Sequence, residues 1–324
     1  MAKVVREELI RQLAAGEFVS GQHLAEQLHV SRTAISKHIK ALGEMGLDIF
    51  SVQGKGYKLA QPIQLLEQKL ITQHLQHLQA NNSIEVHTII DSTNSYLMRR
   101  LPNNVQHEQV CISEYQSSGR GRRGKQWLSP FGSHLYMSMY WHLEQGMAAA
   151  MGISIVVGIA VADVLRMDYN LDVQLKWPND IYINGAKIAG ILVELEGQSI
   201  GPGHCVIGLG LNVQMPESVG ADIDQAWTDL QRQLSARVDR NVLSARLVKQ
   251  ISLRLQQHQQ SGLAPMLEEW QRQDYFYNQA ITIYSGDKVT AGICRGINSS
   301  GALLLEVNGK LQPVYGGEIS LRAG

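Results

Sequence analysis

The stretch VQLKWPNDIYINGAKIAGILVEL, residues 173–195, followed by CVIGLGL, residues 205–211, decides the architecture of the chain. Apolar runs at 173–177, 181–183, 188–196 and 205–211 have the length of strands. Asn184-Gly185, between the second and third runs, is the residue pair of a two-residue hairpin turn. Outward from there, strands are expected at 84–90, 110–114 and 135–141, and a helix over 92–101. A long apolar helix is expected over 147–169 and another over 241–260, where Leu243, Leu247, Ile251 and Leu255 share a face. Hairpins interleaved with helices give a mixed α/β domain, not a doubly wound parallel sheet.

Both ends of the chain read differently. Val5, Leu9, Ile10 and Leu13 predict a helix that stops at Gly16; a second begins near Gly21; Ser31 is an N-cap for a third carrying Ile35, Ile39 and Leu42 inward. The alternation from Leu47 to Val52, the turn Gly54-Lys55-Gly56 and the pair Tyr57, Leu59 predict a wing, completing a winged helix-turn-helix. The net charge of residues 1–60 is only +2, but Arg32, Thr33, Ser36, Lys37 and Lys40 fall on the third helix and Lys55 on the wing. Phosphate contacts need cations there and base edges need a polar helix N-terminus, so DNA binding is favoured over a protein-docking module. The tail from Asn278 holds eight glycines in 47 residues with short alternating runs, which predicts a small β-barrel. Domains at 1–62, 63–275 and 276–324 follow, with Pro62 marking the first boundary.

Composition narrows the function classes. The 324 residues carry 29 Lys+Arg against 29 Asp+Glu with 44% hydrophobic content, which points neither to disorder nor to a polyelectrolyte-binding surface overall. The charged first eight residues lack a secretory signal, and the apolar run 147–162 is too short for a membrane span, so a cytoplasmic protein without membrane association is expected. The three cysteines, Cys111, Cys205 and Cys294, lack metal spacing and are expected to be reduced thiols, with no zinc.

Two motifs carry chemistry. In Ser117-Ser118-Gly119-Arg120-Gly121-Arg122-Arg123-Gly124-Lys125-Gln126-Trp127, the glycines cannot pack a core and the clustered cations repel without an anion. That suits a loop ordered by phosphate, and equally a solvated basic loop or an RNA-binding tract; it is neither a Walker nor a dinucleotide fingerprint. In Lys176-Trp177-Pro178-Asn179-Asp180, the last two residues suit a simple turn, whereas an ammonium at Lys176 among apolar neighbours needs an anionic partner. Gly190, Gly208 and Gly210 interrupt strands, for close approach of a ligand or for a bulge.

In this order the motifs resemble the bifunctional biotin protein ligases that also act as biotin operon repressors. The resemblance runs the whole length, through Asp91-Ser92-Thr93-Asn94, Glu114-Tyr115-Gln116, the basic loop, Lys176 to Asp180, Lys187 to Leu192, Gly208 to Asn212 and the terminal Gly316-Gly317-Glu318-Ile319-Ser320-Leu321. It implies an α+β chain with a class II synthetase-like catalytic domain and an SH3-like C-terminal barrel. It implies a two-step reaction with ATP, biotin and Mg2+: formation of biotinyl-5′-adenylate, then transfer to a lysine of a biotin carboxyl carrier domain. By that resemblance Lys176, Arg122 and Asp180 are catalytic, Lys176 bridging carboxylate and phosphate and Asp180 receiving or orienting the incoming lysine. Ser92, Thr93, Asn94, Gln116, Gly190, Gly208 and Gly210 would hold biotin. Arg120, Arg122, Arg123, Trp127, Lys187, Asn212 and Trp227 would hold ATP or the adenylate. No protein metal ligand is assigned. Operator DNA and an adenylate-bound homodimer complete the implied partners. A lipoate or octanoyl ligase and a ligand-sensing transcription factor without ligase activity are the alternatives; the winged helix and the intact Lys176–Asp180 motif weigh against the first, the basic loop with Lys176 against the second.

Overall fold

The computed structural model describes residues 2–144, 146–197, 202–221, 223–285, 288–316 and 319–323. Helices α1 (Ala2–Leu13), α2 (Gly21–Gln27) and α3 (Arg32–Glu44) precede the hairpin β1 (Ile49–Val52) and β2 (Gly56–Leu59), the expected winged helix. Ser31 caps α3 by accepting from the Ala34 amide at 3.1 Å. Leu9, Leu13, Leu24, Ile35 and Leu42 are fully buried between the helices. One member of this core comes from elsewhere: Phe131, 1% exposed, inserts from the central domain, and its amide donates to Met45 O at 2.9 Å.

The segment after Pro62 is clamped to the central domain by a buried ion pair. Glu114 accepts from Arg240 at 2.7 Å and from the Leu66 amide, and Arg240 also donates to the carbonyls of Gln64 and His134. Helix α4 (Gln68–His77) follows. The central sheet is built from β3 (Ile84–His87), β4 (Val110–Ser113), β5 (His134–Leu143), β6 (Gln174–Lys176), β7 (Asp180–Ile183), β8 (Ala186–Gly197) and β9 (Gly203–Asn212), in the order β3-β4-β5-β9-β8-β7-β6. Only β3 and β4 run parallel. Asn184 and Gly185 take φ of 51° and 76°, the left-handed pair that a tight hairpin demands.

Period-two alternation divides this sheet into two faces. Leu135, Met137, Met139 and Trp141 of β5 join the main core with helix α6 (Ile153–Tyr169) and the long helix Arg240–Ser261. Tyr140 faces the other way, with Cys111 and Leu97 of helix α5 (Thr93–Met98). The apolar helix expected over 147–169 is shorter than its hydrophobicity suggested: Met147–Ala150 forms a 3-10 turn, and Gly152 at φ 84° breaks the chain before α6 begins. No described helix is long and apolar enough to cross a membrane.

The tail forms an antiparallel sheet of β10 (Ala280–Ser285), β11 (Lys288–Ile297), β12 (Leu303–Val307), β13 (Lys310–Val314) and β14 (Ile319–Ala323), ordered β13-β12-β11-β10-β14. It is tied to the central domain where Trp177 Nε1 donates to Gly301 O at 3.0 Å. Gly317 and Glu318 of the terminal motif lie outside the described residues.

Candidate functional site

One cross-strand row organises the site. Lys176 pairs with Asp180, Asp180 with Gly190, Gly190 with Gly210 and Gly210 with Tyr136, on five neighbouring strands. The adjoining row places Leu192, Gly208 and Ser138 side by side. Above these small residues, on the α5 face, lies a cavity of about 250 Å³ whose lining includes Ser92, Thr93, Asn94, Gln116, Arg120, Arg122, Arg123, Trp127, Lys176, Asp180, Lys187 and the three glycines. Sequence positions more than a hundred residues apart are thus gathered at one place, with six cations and one carboxylate in the described lining.

At its uncharged end every side chain is held. Ser92 caps α5, and the Thr93 amide and hydroxyl both donate to Gln116 Oε1, at 2.9 and 3.2 Å. Ser138 Oγ bonds both Thr93 Oγ1 and Asn94 Oδ1. Asn94 Nδ2 donates to Leu192 O at 3.3 Å and Glu194 at 2.7 Å. A Cβ on Gly208 would collide with the Asn94 amide, and one on Gly210 would lie 2.5 Å from the Trp127 ring. The glycines therefore make room first for these two side chains.

At the charged end, Lys176 is half-buried, with Nζ 5.1 Å from the Tyr182 ring centre, 5.4 Å from that of Phe276, and 3.3 Å from the Tyr182 hydroxyl. Asp180 is paired with Lys187 at 2.7 Å. Arg122 donates to Asn179 Oδ1 at 3.1 Å; burial lowers its pKa and Arg123 adds to this, while Asp180 opposes them. The basic loop folds back on itself, with the Gly121 amide on Lys125 O and the Trp127 amide on Gly119 O, and Arg123 at its tip in the left-handed region. Arg120, grouped with the phosphate-binding cations in the sequence, is bound bidentately to Glu194 at 2.8 and 2.9 Å and also donates to Ser95.

A second cavity of about 370 Å³ adjoins the first and is lined by Trp127, Lys187, Asn212, Met215, Ile223 and Trp227. Trp127 lines both, as do Lys125, Gln126, Lys187 and Gln225, and its indole N–H is buried without a partner among the described residues. Trp227 donates to Gly220 O at 3.0 Å and carries the Arg232 guanidinium 4.0 Å from its ring centre. Asn212 is buried and donates to Thr228 O, so it positions the 227–228 segment.

On the winged helix, Arg32, Thr33, Ser36, Lys37 and Lys40 are all exposed on one face of α3, and Lys55 is exposed at the wing 5.8 Å from the Phe18 ring centre. None of these four cations makes an ion pair among the described residues.

Sequence reasoning missed Glu194, Ser95 and Ser138, and read Asn179, in the Lys176–Asp180 motif, as a turn residue without a role in the site. Glu194 was legible in principle: counting by twos from Gly190 along β8 reaches it on the same face.

Sequence comparison places these features in context. The model of the Biotin/lipoate A/B protein ligase family matches residues 86–212, an HTH domain model residues 5–58 and a biotin protein ligase C-terminal domain model residues 276–322. The bifunctional ligase/repressor BirA of Escherichia coli is 48% identical over 98% of this chain and 97% of its own length. That of Bacillus subtilis is 26% identical over 99% of this chain and all of its own. Among solved structures, the biotin protein ligase of Aquifex aeolicus in complex with biotin and ATP matches with a TM-score of 0.63 at 23% identity, covering 75% of this chain and 99% of that one.

Proposed function

Because this chain belongs to the bifunctional biotin ligase/repressor family, we propose that it joins biotin to ATP as biotinyl-5′-adenylate, passes the biotinyl group to a carrier-domain lysine, and represses biotin biosynthesis genes. The observation that carries the reading is the cavity itself: fixed hydrogen-bonding groups at one end, cations at the other, a glycine floor between. An uncharged ureido ring needs directional partners, which Thr93 and Gln116 supply, while two reacting anions need charge neutralisation. Lys176 bridges the biotin carboxylate and the α-phosphate. Packed against the Tyr182 and Phe276 rings, its charge acts in a poorly hydrated setting, where it is worth more than in water. Arg122 and Arg123 close over the phosphate from the loop.

Asp180 begins committed to Lys187. Phosphate oxygens compete for that ammonium, and the carboxylate so released orients the incoming carrier lysine and takes up its proton. Mg2+ would find its protein carboxylate in Asp180, the one in the described lining, and would supply further charge neutralisation for the two reacting anions. The adenine occupies the second cavity, between Trp127 and the Trp227 segment, and the unpartnered indole N–H of Trp127 finds its acceptor on the ligand.

Repression uses the exposed face of α3 and a homodimer formed when the adenylate is bound. β8 runs past β7, and beyond Ile191, which is bonded to Asn179, its stretch 193–197 pairs among the described residues only with β9 and offers a strand edge for a second copy or for the carrier domain. The test is biotin-dependent exchange of pyrophosphate into ATP, followed by mass gain of one biotin on a carrier domain. Exchange driven by octanoate or lipoate but not by biotin would overturn the assignment in favour of the lipoate-type reading.

A further inference from the structure

Glu194 sits outside every motif that marks this site, yet it holds two of the site's parts together. Its Oε2 accepts from Asn94 Nδ2 at 2.7 Å, and both its oxygens accept from Arg120 Nη2, at 2.9 and 2.8 Å, with Arg120 Nε 3.3 Å from Oε1. Asn94 is thereby fixed at every polar atom, since Oδ1 meets Ser138 and Nδ2 also meets Leu192 O. Gly208 makes room for this placement, since a Cβ there would collide with the Asn94 amide. Arg120 in turn stands at the neck of the basic loop, where it bridges to Gln126. One carboxylate therefore ties the wall beside Thr93 to the root of the loop carrying Arg122 and Arg123.

Chemistry explains why the acid is needed. Four cations lie within six residues of this loop and repel one another, and a carboxylate on the one at its neck relieves that repulsion before any phosphate is bound. The pair is about a third exposed on the arginine side and 27% on the glutamate side, so screening moderates it, but its bidentate geometry and its shared link to Asn94 make it a network, not an isolated surface contact.

We propose that Glu194 is a positioning residue for adenylation, acting through Arg120 on retention of the acyl-adenylate and through Asn94 on biotin affinity. The inference rests on the ligase reading of the cavity. The two arms separate by substitution. Glu194→Gln keeps an acceptor for Asn94 and loses the charge that holds Arg120; Glu194→Ala loses both.

The experiment uses the full-length protein with biotin and ATP, measuring KM for biotin, kcat for pyrophosphate exchange, and the rate at which labelled biotinyl-adenylate escapes from the enzyme. In Glu194→Gln, escape should be roughly fivefold faster with KM for biotin near the parent value. In Glu194→Ala, escape should be equally fast and KM for biotin should rise roughly tenfold, with Gln restoring it. Arg120→Ala should reproduce the escape defect alone. Parental escape rates in Glu194→Gln and Arg120→Ala, or a KM defect in the alanine variant that glutamine does not rescue, would overturn the proposal. A parent protein that forms no biotinyl-adenylate would instead overturn the ligase reading itself.

Discussion

Phe131→Ala should separate the two halves of the chain. The ring is 1% exposed and belongs to the winged-helix core although it is carried by the segment following the basic loop. Its backbone amide bonds Met45 O, and the preceding Pro130 packs so closely on Gly46 that a Cβ there would lie 3.0 Å from the proline ring. Truncating a fully buried phenylalanine costs about 3–5 kcal/mol, from lost burial and the cavity left behind. Because the cavity opens inside the N-terminal core, the loss falls on folding and docking of residues 1–62, while the catalytic sheet keeps its packing. At the low end of that range, the population with an undocked winged helix rises roughly a hundredfold. The assay combines urea unfolding, limited proteolysis of the N-terminal segment, operator binding at fixed salt and pyrophosphate exchange. Earlier unfolding, faster N-terminal cleavage and weakened operator binding are expected, with exchange largely retained. Unfolding within about 0.5 kcal/mol of the parent would refute the assignment of Phe131 to the winged-helix core.

Three further outcomes are expected. Lys176→Ala should slow adenylation by about two to three orders of magnitude, the loss of one electrostatic stabiliser being worth about 2.7–4 kcal/mol, and exchange kinetics at the parent rate would remove Lys176 from the mechanism. Lys40→Ala should weaken operator binding and lower the salt slope by about one if it contacts phosphate, with ligase activity intact; an unchanged slope would place Lys40 off the DNA backbone. Burial pushes the Asp274 carboxyl up to about 6, so the folded chain keeps a proton that the unfolded chain releases near pH 4. That contribution, on the order of 2–3 kcal/mol, is complete below about pH 4 and is lost as pH rises through 6; Asp274→Asn should therefore be the more stable protein at pH 8, and melting profiles that stay parallel from pH 4 to 8 would refute the shift.

What the sequence made legible is what local physics dictates. Asn184-Gly185 required a left-handed turn and took one, Ser31 capped the helix it preceded, and the strand glycines fell on the floor of the site. Elements whose boundaries depend on a single backbone angle were less clear: hydrophobicity carried the predicted helix through Gly152, but its positive φ stopped it. Long-range pairing was not visible. Arg120 and Glu194 lie 74 positions apart, and nothing in a run of arginines distinguishes the one aimed at a carboxylate from its neighbours. Phe131 was hidden for the same reason, since its apolar character fits either domain and only the tertiary fold assigns it to the first.

These two contacts bracket the basic loop. Arg120 fixes its start to β8 and Phe131 fixes the chain just beyond its end to the winged helix, while the left-handed residues Arg123 and Gly124 between them supply the turn. Arg122 and Arg123 therefore sit on a segment anchored in two different bodies, one at β8 and one at the C-terminal end of α3. In the proposed adenylate-bound homodimer linkage works in both directions: whatever factor the adenylate adds to dimerisation, the dimer adds to retention of the adenylate. A dimer on its operator would then hold its intermediate longer than a free monomer does, and carrier domain would act on the repressor mainly by drawing adenylate from the monomer pool.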